Sequence, residues 1–160
     1  MNKLYIICVD DQREVLASIV RDLSPLAAWT IVEECESAEE ARTLLNELDA
    51  EDARPALIIC DHIMPGANGV DFLAELAKDM RFTLLKKILL TGQATHKDTI
   101  DAINKARVDH YFEKPWQPEP LLQTCRRLLS EYLFDTGAYA REFSPHVDPQ
   151  VLIARLRGQE

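Results

Sequence analysis

Short apolar runs alternate along the chain with longer segments in which apolar residues recur every three or four positions. The first run, "LYIICV" (4–9), is continuously apolar, the pattern of a strand covered on both faces. After it, Val15, Leu16, Ile19, Val20 and Leu23 form a helical stripe that Ser24-Pro25 ends, and Asp11 with Glu14 has capping-box spacing at its start. "WTIVEEC" (29–35) is half-polar and predicts an edge strand. Ser37 with Glu40 repeats the capping box, and Ala41, Leu44, Leu45 and Leu48 share the face that follows. "ALIIC" (56–60) predicts a third strand, and residues 69–79 a third helix carrying Phe72, Leu73 and Leu76. "KILLT" (87–91) is the fourth strand; Thr95 with Asp98 caps a fourth helix whose apolar face reduces to Ile100 and Ile103. "VDHYF" (108–112) is the fifth strand, and Leu121, Leu122, Cys125, Leu128 and Leu129 stripe a fifth helix.

Five strand–helix units in series imply a parallel sheet with helices on both faces. The pattern loosens beyond Phe134: Gly137 interrupts the helix, "SPHVDPQ" reads as linker, and residues 150–158 start another small helix. The expected division is a domain over residues 1–133 and a C-terminal extension or linker over 134–160.

With 160 residues, 47% of them apolar and 28% charged, the composition is that of a soluble globular chain with one core. The net charge of −9 and the lack of any Lys/Arg cluster argue against direct nucleic-acid binding. The N-terminal apolar stretch is too short for a signal peptide and no stretch suits a membrane span, so a cytoplasmic location is expected. Cys8, Cys35, Cys60 and Cys125 are scattered and read as small hydrophobes, and the four dispersed histidines give no zinc pattern.

The chemistry gathers where open α/β sheets place it, beyond the carboxyl ends of the strands. Asp10 and Asp11 follow strand one, Asp61 ends strand three, Thr91 ends strand four, and Lys114 follows strand five. In the flavodoxin-like order 2-1-3-4-5 these groups converge. Three carboxylates in one pocket repel one another unless a divalent cation neutralises them, and Mg²⁺ suits a site with few oxygen ligands. The lysine then offers positive charge to an incoming phosphoryl group.

The stretches "VDDQ" (9–12), "ICDHIMPGANG" (59–69), "LLTGQA" (89–94) and "YFEKPW" (111–116), each at the end of its own strand, resemble the receiver domain of two-component response regulators. The resemblance spans residues 3–132. It implies a flavodoxin-like, doubly wound, five-stranded parallel sheet with five flanking helices. It also implies Asp61 as phosphoacceptor, Asp10 and Asp11 as the acid pair holding Mg²⁺, and the Ile63 backbone carbonyl as a further metal ligand. Thr91 would be the switch hydroxyl, Tyr111 the switch aromatic and Lys114 the phosphate contact across a cis Lys114–Pro115 bond. Pro65 and Gly69 match the family's loop after the acceptor, whereas Ile63 and Gln93 are individual to this chain.

The function implied is a phosphorylation-activated signalling module, served by a sensor histidine kinase or phosphotransfer protein, rather than an enzyme acting on a separate substrate. Its output surface would be helix four, strand five and helix five; this face, or a prolonged helix five, would also serve a homodimer. A haloacid-dehalogenase-like phosphohydrolase fits less well, because that family carries its nucleophile after strand one in a DxDx pattern. No helix-turn-helix follows the domain. "REFSPHVDPQVLIARL" (141–156) faintly resembles the segment leading into class III nucleotide cyclase domains, which would make this chain the regulatory piece of a longer protein.

Overall fold

The structure, a computed structural model, describes residues 1–92 and 97–158; Gln93 and Thr95, with the helix cap expected there, lie outside them. Five strands form one parallel sheet: β1 (Leu4–Val9), β2 (Thr30–Cys35), β3 (Pro55–Asp61), β4 (Lys86–Thr91) and β5 (His110–Glu113), in the order β2-β1-β3-β4-β5. The helices are α1 (Arg13–Asp22), α2 (Ala38–Ala50), α3 (Gly69–Lys78), α4 (Lys97–Lys105), α5 (Pro118–Asp135) and α6 (Pro149–Arg157).

The expected sheet and its order are therefore present, and the burial of each strand follows from its place in that order. Central β3 is buried at all seven positions, which is why its sequence is continuously apolar. Edge strands β2 and β5 are only partly buried and carry the half-polar sequences. Successive side chains point to opposite faces of the sheet. Leu4, Ile6, Cys8, Leu57 and Ile59 meet Leu16 and Ile19 of α1 and Leu121, Cys125 and Leu129 of α5 on one face. Ile7, Val9, Ile58, Cys60 and Leu89 meet Ala41 and Leu45 of α2, Leu73 and Leu76 of α3 and Ile103 of α4 on the other. All four cysteines are free and buried in these layers. Among the described residues, no helix is long and apolar enough to cross a membrane.

The segment read as linker is instead packed. The chain leaves α5 at Gly137, whose φ of +73° suits glycine, and turns back along the amino edge of the sheet. Phe143 and Val147 enter the α1/α5 core layer, where Trp29 meets the Phe143 ring edge-on at 6.4 Å and stacks on His146 at 6.1 Å. Buried Ser130 ties the segment down, donating to the Arg126 carbonyl at 2.6 Å and accepting from the Asp148 N–H at 2.9 Å. Asp148 in turn caps α6 by accepting from the Gln150 N–H at 2.8 Å. Asp135 closes the arrangement, paired at 2.8 Å with both Lys86 of β4 and Arg155 of α6.

Burial alone would raise the Asp135 carboxyl, but its hydrogen bonds from Lys86 and Arg155 outweigh that and hold it below the usual carboxylate range. A carboxyl depressed in the folded state stabilises it above the unfolded value, and that stabilisation disappears as pH falls through the folded value. Asp135→Asn is therefore expected to cost on the order of 1 kcal/mol at pH 7, lowering Tm by roughly 2–4 °C. The gap to wild type should narrow as pH falls through the ordinary carboxylate value towards the depressed folded one. Thermal melts of both proteins from pH 3 to 8 check this, and a gap that persists unchanged in acid contradicts it.

Candidate functional site

Each strand of the central trio delivers one group to the same edge. Parallel pairing sets Val9 against Cys60 and Asp61 against Leu90, so Asp10, Asp61 and Thr91 emerge together at the carboxyl end. Asp10 is fully buried, and its Oδ1 accepts the Gln12 N–H at 2.9 Å. The capping box expected from Asp11 and Glu14 does not form: Gln12 is the N-cap of α1, with no side-chain hydrogen bond. Asp11 is exposed, and its carboxylate joins those of Asp10 and Asp61, with oxygens all within 4.8 Å of one another. The Asp10–Gln12 bond satisfies the first turn of α1 locally, which leaves Asp11 uncommitted as a cap.

The loop after Asp61 is shaped by close contact. Ile63–Met64 pairs with Ala67–Asn68 in a two-residue antiparallel hairpin, with Gly66 at its tip at φ +72°. Gly69 donates its N–H to the His62 carbonyl at 2.6 Å, and a Cβ there would collide with the Asp61 carbonyl oxygen. Asn68 caps α3 by accepting from the Val70 N–H at 2.8 Å. Ile63, in the hairpin after Asp61, is 58% exposed.

Lys114 reaches across from β5. Its Nζ lies 2.8 Å from Asp61 Oδ1 and 2.9 Å from Asp10 Oδ2, its N–H donates to the Thr91 carbonyl at 2.9 Å, and its bond to Pro115 is cis. Next in sequence, Trp116 donates from its indole to Asp22 Oδ2 at 2.9 Å, fastening the lysine's loop to α1. Thr91 is fully buried, and Tyr111, on edge strand β5, is 41% exposed.

His62 was not among the residues read from the sequence. Its Nδ1 lies 2.8 Å from the Thr91 hydroxyl, and its N–H donates to the Leu90 carbonyl at 2.9 Å. The signal for it was the register: extending the pairing of Asp61 with Leu90 by one residue sets His62 beside Thr91.

Desolvation raises the Asp61 carboxyl; the Lys114 hydrogen bond opposes this, and repulsion from Asp10 and Asp11 reinforces it, for a net upward shift. Burial would lower the Lys114 ammonium, but Asp61 and Asp10 outweigh it and keep the lysine charged. Burial lowers the His62 imidazole against the pull of Asp61 and Asp71. Burial pushes the Cys60 thiol up, which leaves it unreactive beside the acids. Three carboxylates against one ammonium leave negative charge in excess, on oxygen donors only. That donor set fits a hard divalent cation such as Mg²⁺.

The strand order and the place of these groups define the class: a flavodoxin-like, doubly wound α/β domain with an acidic cluster at the carboxyl edge of its sheet. The chain belongs to the response regulator receiver domain family, whose model matches residues 6–126. It is similar to the chemotaxis protein CheY1 of Helicobacter pylori strain 26695, at 31% identity over 79% of this chain and 97% of that protein. The signal receiver domain of an HD domain-containing protein from Pseudomonas fluorescens Pf-5 superposes with a TM-score of 0.69 at 28% identity, covering 81% of this chain and 97% of that one. A chain from Rhodopirellula baltica described as an adenylate cyclase shares the fold, with a TM-score of 0.70 at 23% identity over 86% of this chain and 95% of its own. The chain spans only 17% and 21% of the length of two hydrogenase transcriptional regulators that it also matches.

If Asp11 is a cation ligand and no cap, Asp11→Ala should weaken Mg²⁺ binding at least about tenfold. It should also raise the Tm of the metal-free protein by relieving repulsion on Asp61. Magnesium titration followed by calorimetry checks both, and an unchanged dissociation constant would remove Asp11 from the site.

Proposed function

We propose that this chain is a phosphorylation-controlled signalling module in which Asp61 accepts a phosphoryl group from a sensor histidine kinase or phosphotransfer protein. The observation that carries this reading is the Lys114 ammonium, 2.8 Å from Asp61 and 2.9 Å from Asp10, set in one cluster with Asp11 at the carboxyl edge of the sheet. An Asp61 oxygen attacks phosphorus in line as the donor's nitrogen–phosphorus bond breaks, and the electron pair leaves on the donor imidazole. Asp10, Asp11, Asp61 and the Ile63 backbone carbonyl would hold Mg²⁺, which when bound neutralises charge on the phosphoryl oxygens. Lys114 exchanges its Asp61 contact for one phosphoryl oxygen, and the Thr91 hydroxyl donates to another. Slow transfer of the phosphoryl group to water resets the domain, whose chemistry is confined to itself.

The readout is on the neighbouring surface. Drawing Thr91 towards the phosphoryl group opens room beside β5 that the exposed Tyr111 ring enters, changing the face of α4, β5 and α5. Among its described residues, helix α4 buries only Thr99 and Ile103, with Ala106 just past its end, so it is the element most readily biased. A downstream partner reads that face, as would a second copy docking through it or through the far end of α5. Residues 1–133 form the receiver in this reading and 134–160 an extension, in a cytoplasmic protein. A nucleotide-cyclase or other output domain beyond the extension is the runner-up for the whole protein and leaves the Asp61 chemistry unchanged. A dehalogenase-like hydrolase would place its nucleophile at Asp10, but that carboxylate is fully buried and held by Gln12 and Lys114.

Acetyl phosphate with Mg²⁺ is expected to add one phosphoryl group to the wild type, seen by intact mass, and none to a folded Asp61→Asn variant. Equal labelling of that variant would overturn the assignment.

Beryllofluoride with Mg²⁺ should change hydrogen-exchange protection across residues 91–116. Allosteric couplings of about 1–3 kcal/mol correspond to roughly 5- to 150-fold changes in local protection. Changes confined to the loop after Asp61 would mean that the domain binds phosphate without transmitting it.

A further inference from the structure

His62 is the residue after the acceptor, yet its side chain serves a different neighbour. It is buried, 6% exposed, and its ring nitrogen Nδ1 lies 2.8 Å from the Thr91 hydroxyl on the adjacent strand. Its backbone is held on both sides, the N–H by the Leu90 carbonyl and the carbonyl by the Gly69 N–H. The ring is thus built into the end of the sheet. Resting on the reading of Thr91 as the group that answers a phosphoryl on Asp61, we propose that His62 is a positioning residue that latches Thr91. In the resting molecule Nδ1 accepts the Thr91 hydroxyl proton, and His62 thereby sets how strongly phosphorylation must pull before the domain switches.

The argument is one of proton count. A threonine hydroxyl carries a single hydrogen, and a phosphoryl oxygen only accepts. The proton given to His62 is therefore withheld from Asp61's phosphoryl group until the 2.8 Å bond breaks. A charged phosphoryl oxygen is the stronger acceptor and wins the exchange. The net gain is reduced by the bond lost, and a neutral hydrogen bond of ordinary net strength amounts to about a three- to tenfold factor in an equilibrium constant. No atom of His62 need touch metal or phosphate for this to hold.

His62→Phe keeps a planar ring of similar size without the nitrogen. It should bind beryllofluoride in the presence of Mg²⁺ about three- to tenfold tighter than wild type, with affinity for Mg²⁺ alone unchanged. His62→Asn, whose amide oxygen offers an acceptor in the place of Nδ1, should return to near wild-type affinity. A merely structural role for the ring would move Tm and both affinities together and would not be restored by asparagine. A second readout uses the unaltered protein: the ¹⁵N resonance of His62 Nδ1 should be that of an unprotonated, hydrogen-bonded nitrogen at rest and should shift on adding beryllofluoride. A protonated Nδ1 at rest, or His62→Phe binding beryllofluoride no more tightly than wild type, overturns the latch. Should the phenylalanine variant not fold, the ¹⁵N measurement decides alone. Wild type that fails to bind beryllofluoride, or Asp61→Asn that binds it equally, overturns the phosphoacceptor reading itself and the latch with it.

Discussion

The carboxyl edge of this sheet depends on one ammonium. Lys114 lies within 2.9 Å of both Asp10 and Asp61, the two buried acids of a three-acid cluster. Two carboxylates cannot both stay ionised out of water at close range without a compensating charge. The Lys114 ammonium between them supplies it. Much of the nearby architecture serves its placement. β5 runs it to the edge, its N–H is tied to Thr91, and the Trp116 indole pins its loop to α1 through Asp22. Gly69 plays the corresponding part for Asp61, since any side chain there would displace the strand end that carries the acid.

The fold was readable because a fully buried parallel strand cannot disguise itself. Seven buried positions in β3 require an apolar run, and a polar residue ending such a run marks the rim. Asp10, Asp61 and Thr91 were legible for that reason, each standing where an apolar strand stops, whereas Lys114 follows the half-polar edge strand β5. What escaped the sequence were interactions local patterns do not encode. Asp11 with Glu14 has the spacing of a cap, but Asp10 accepted the Gln12 N–H first and the helix began one residue later than a cap at Asp11 requires. Phe143 and Val147 sit in a segment without periodicity, rich in proline and polar residues. Only the position of Trp29, more than a hundred residues earlier in the chain, reveals that they are core. His62 was passed over because a histidine following an acid suggests nothing by itself; its partner is 29 residues away.

The two edges of the sheet are built on opposite electrostatic terms. At the carboxyl edge, acids crowd together and the net effect raises Asp61, leaving an excess of negative charge that a divalent cation would neutralise. At the amino edge, Asp135 is oversupplied with cations, two against one, and lies below its ordinary range. The returning segment adds Phe143 and Val147 to the core at that same edge. Helix α5 spans the two: it begins just past Lys114-Pro115-Trp116 and ends at Asp135, and at 18 residues it is about 27 Å long. Frustration at one end is thus separated from the packing and ion pairing that stabilise the other by the length of a rigid element. Such a separation lets repulsion at the site and stabilisation at the far end act almost independently, because residues more than about 10 Å apart with no shared partner contribute to stability nearly additively.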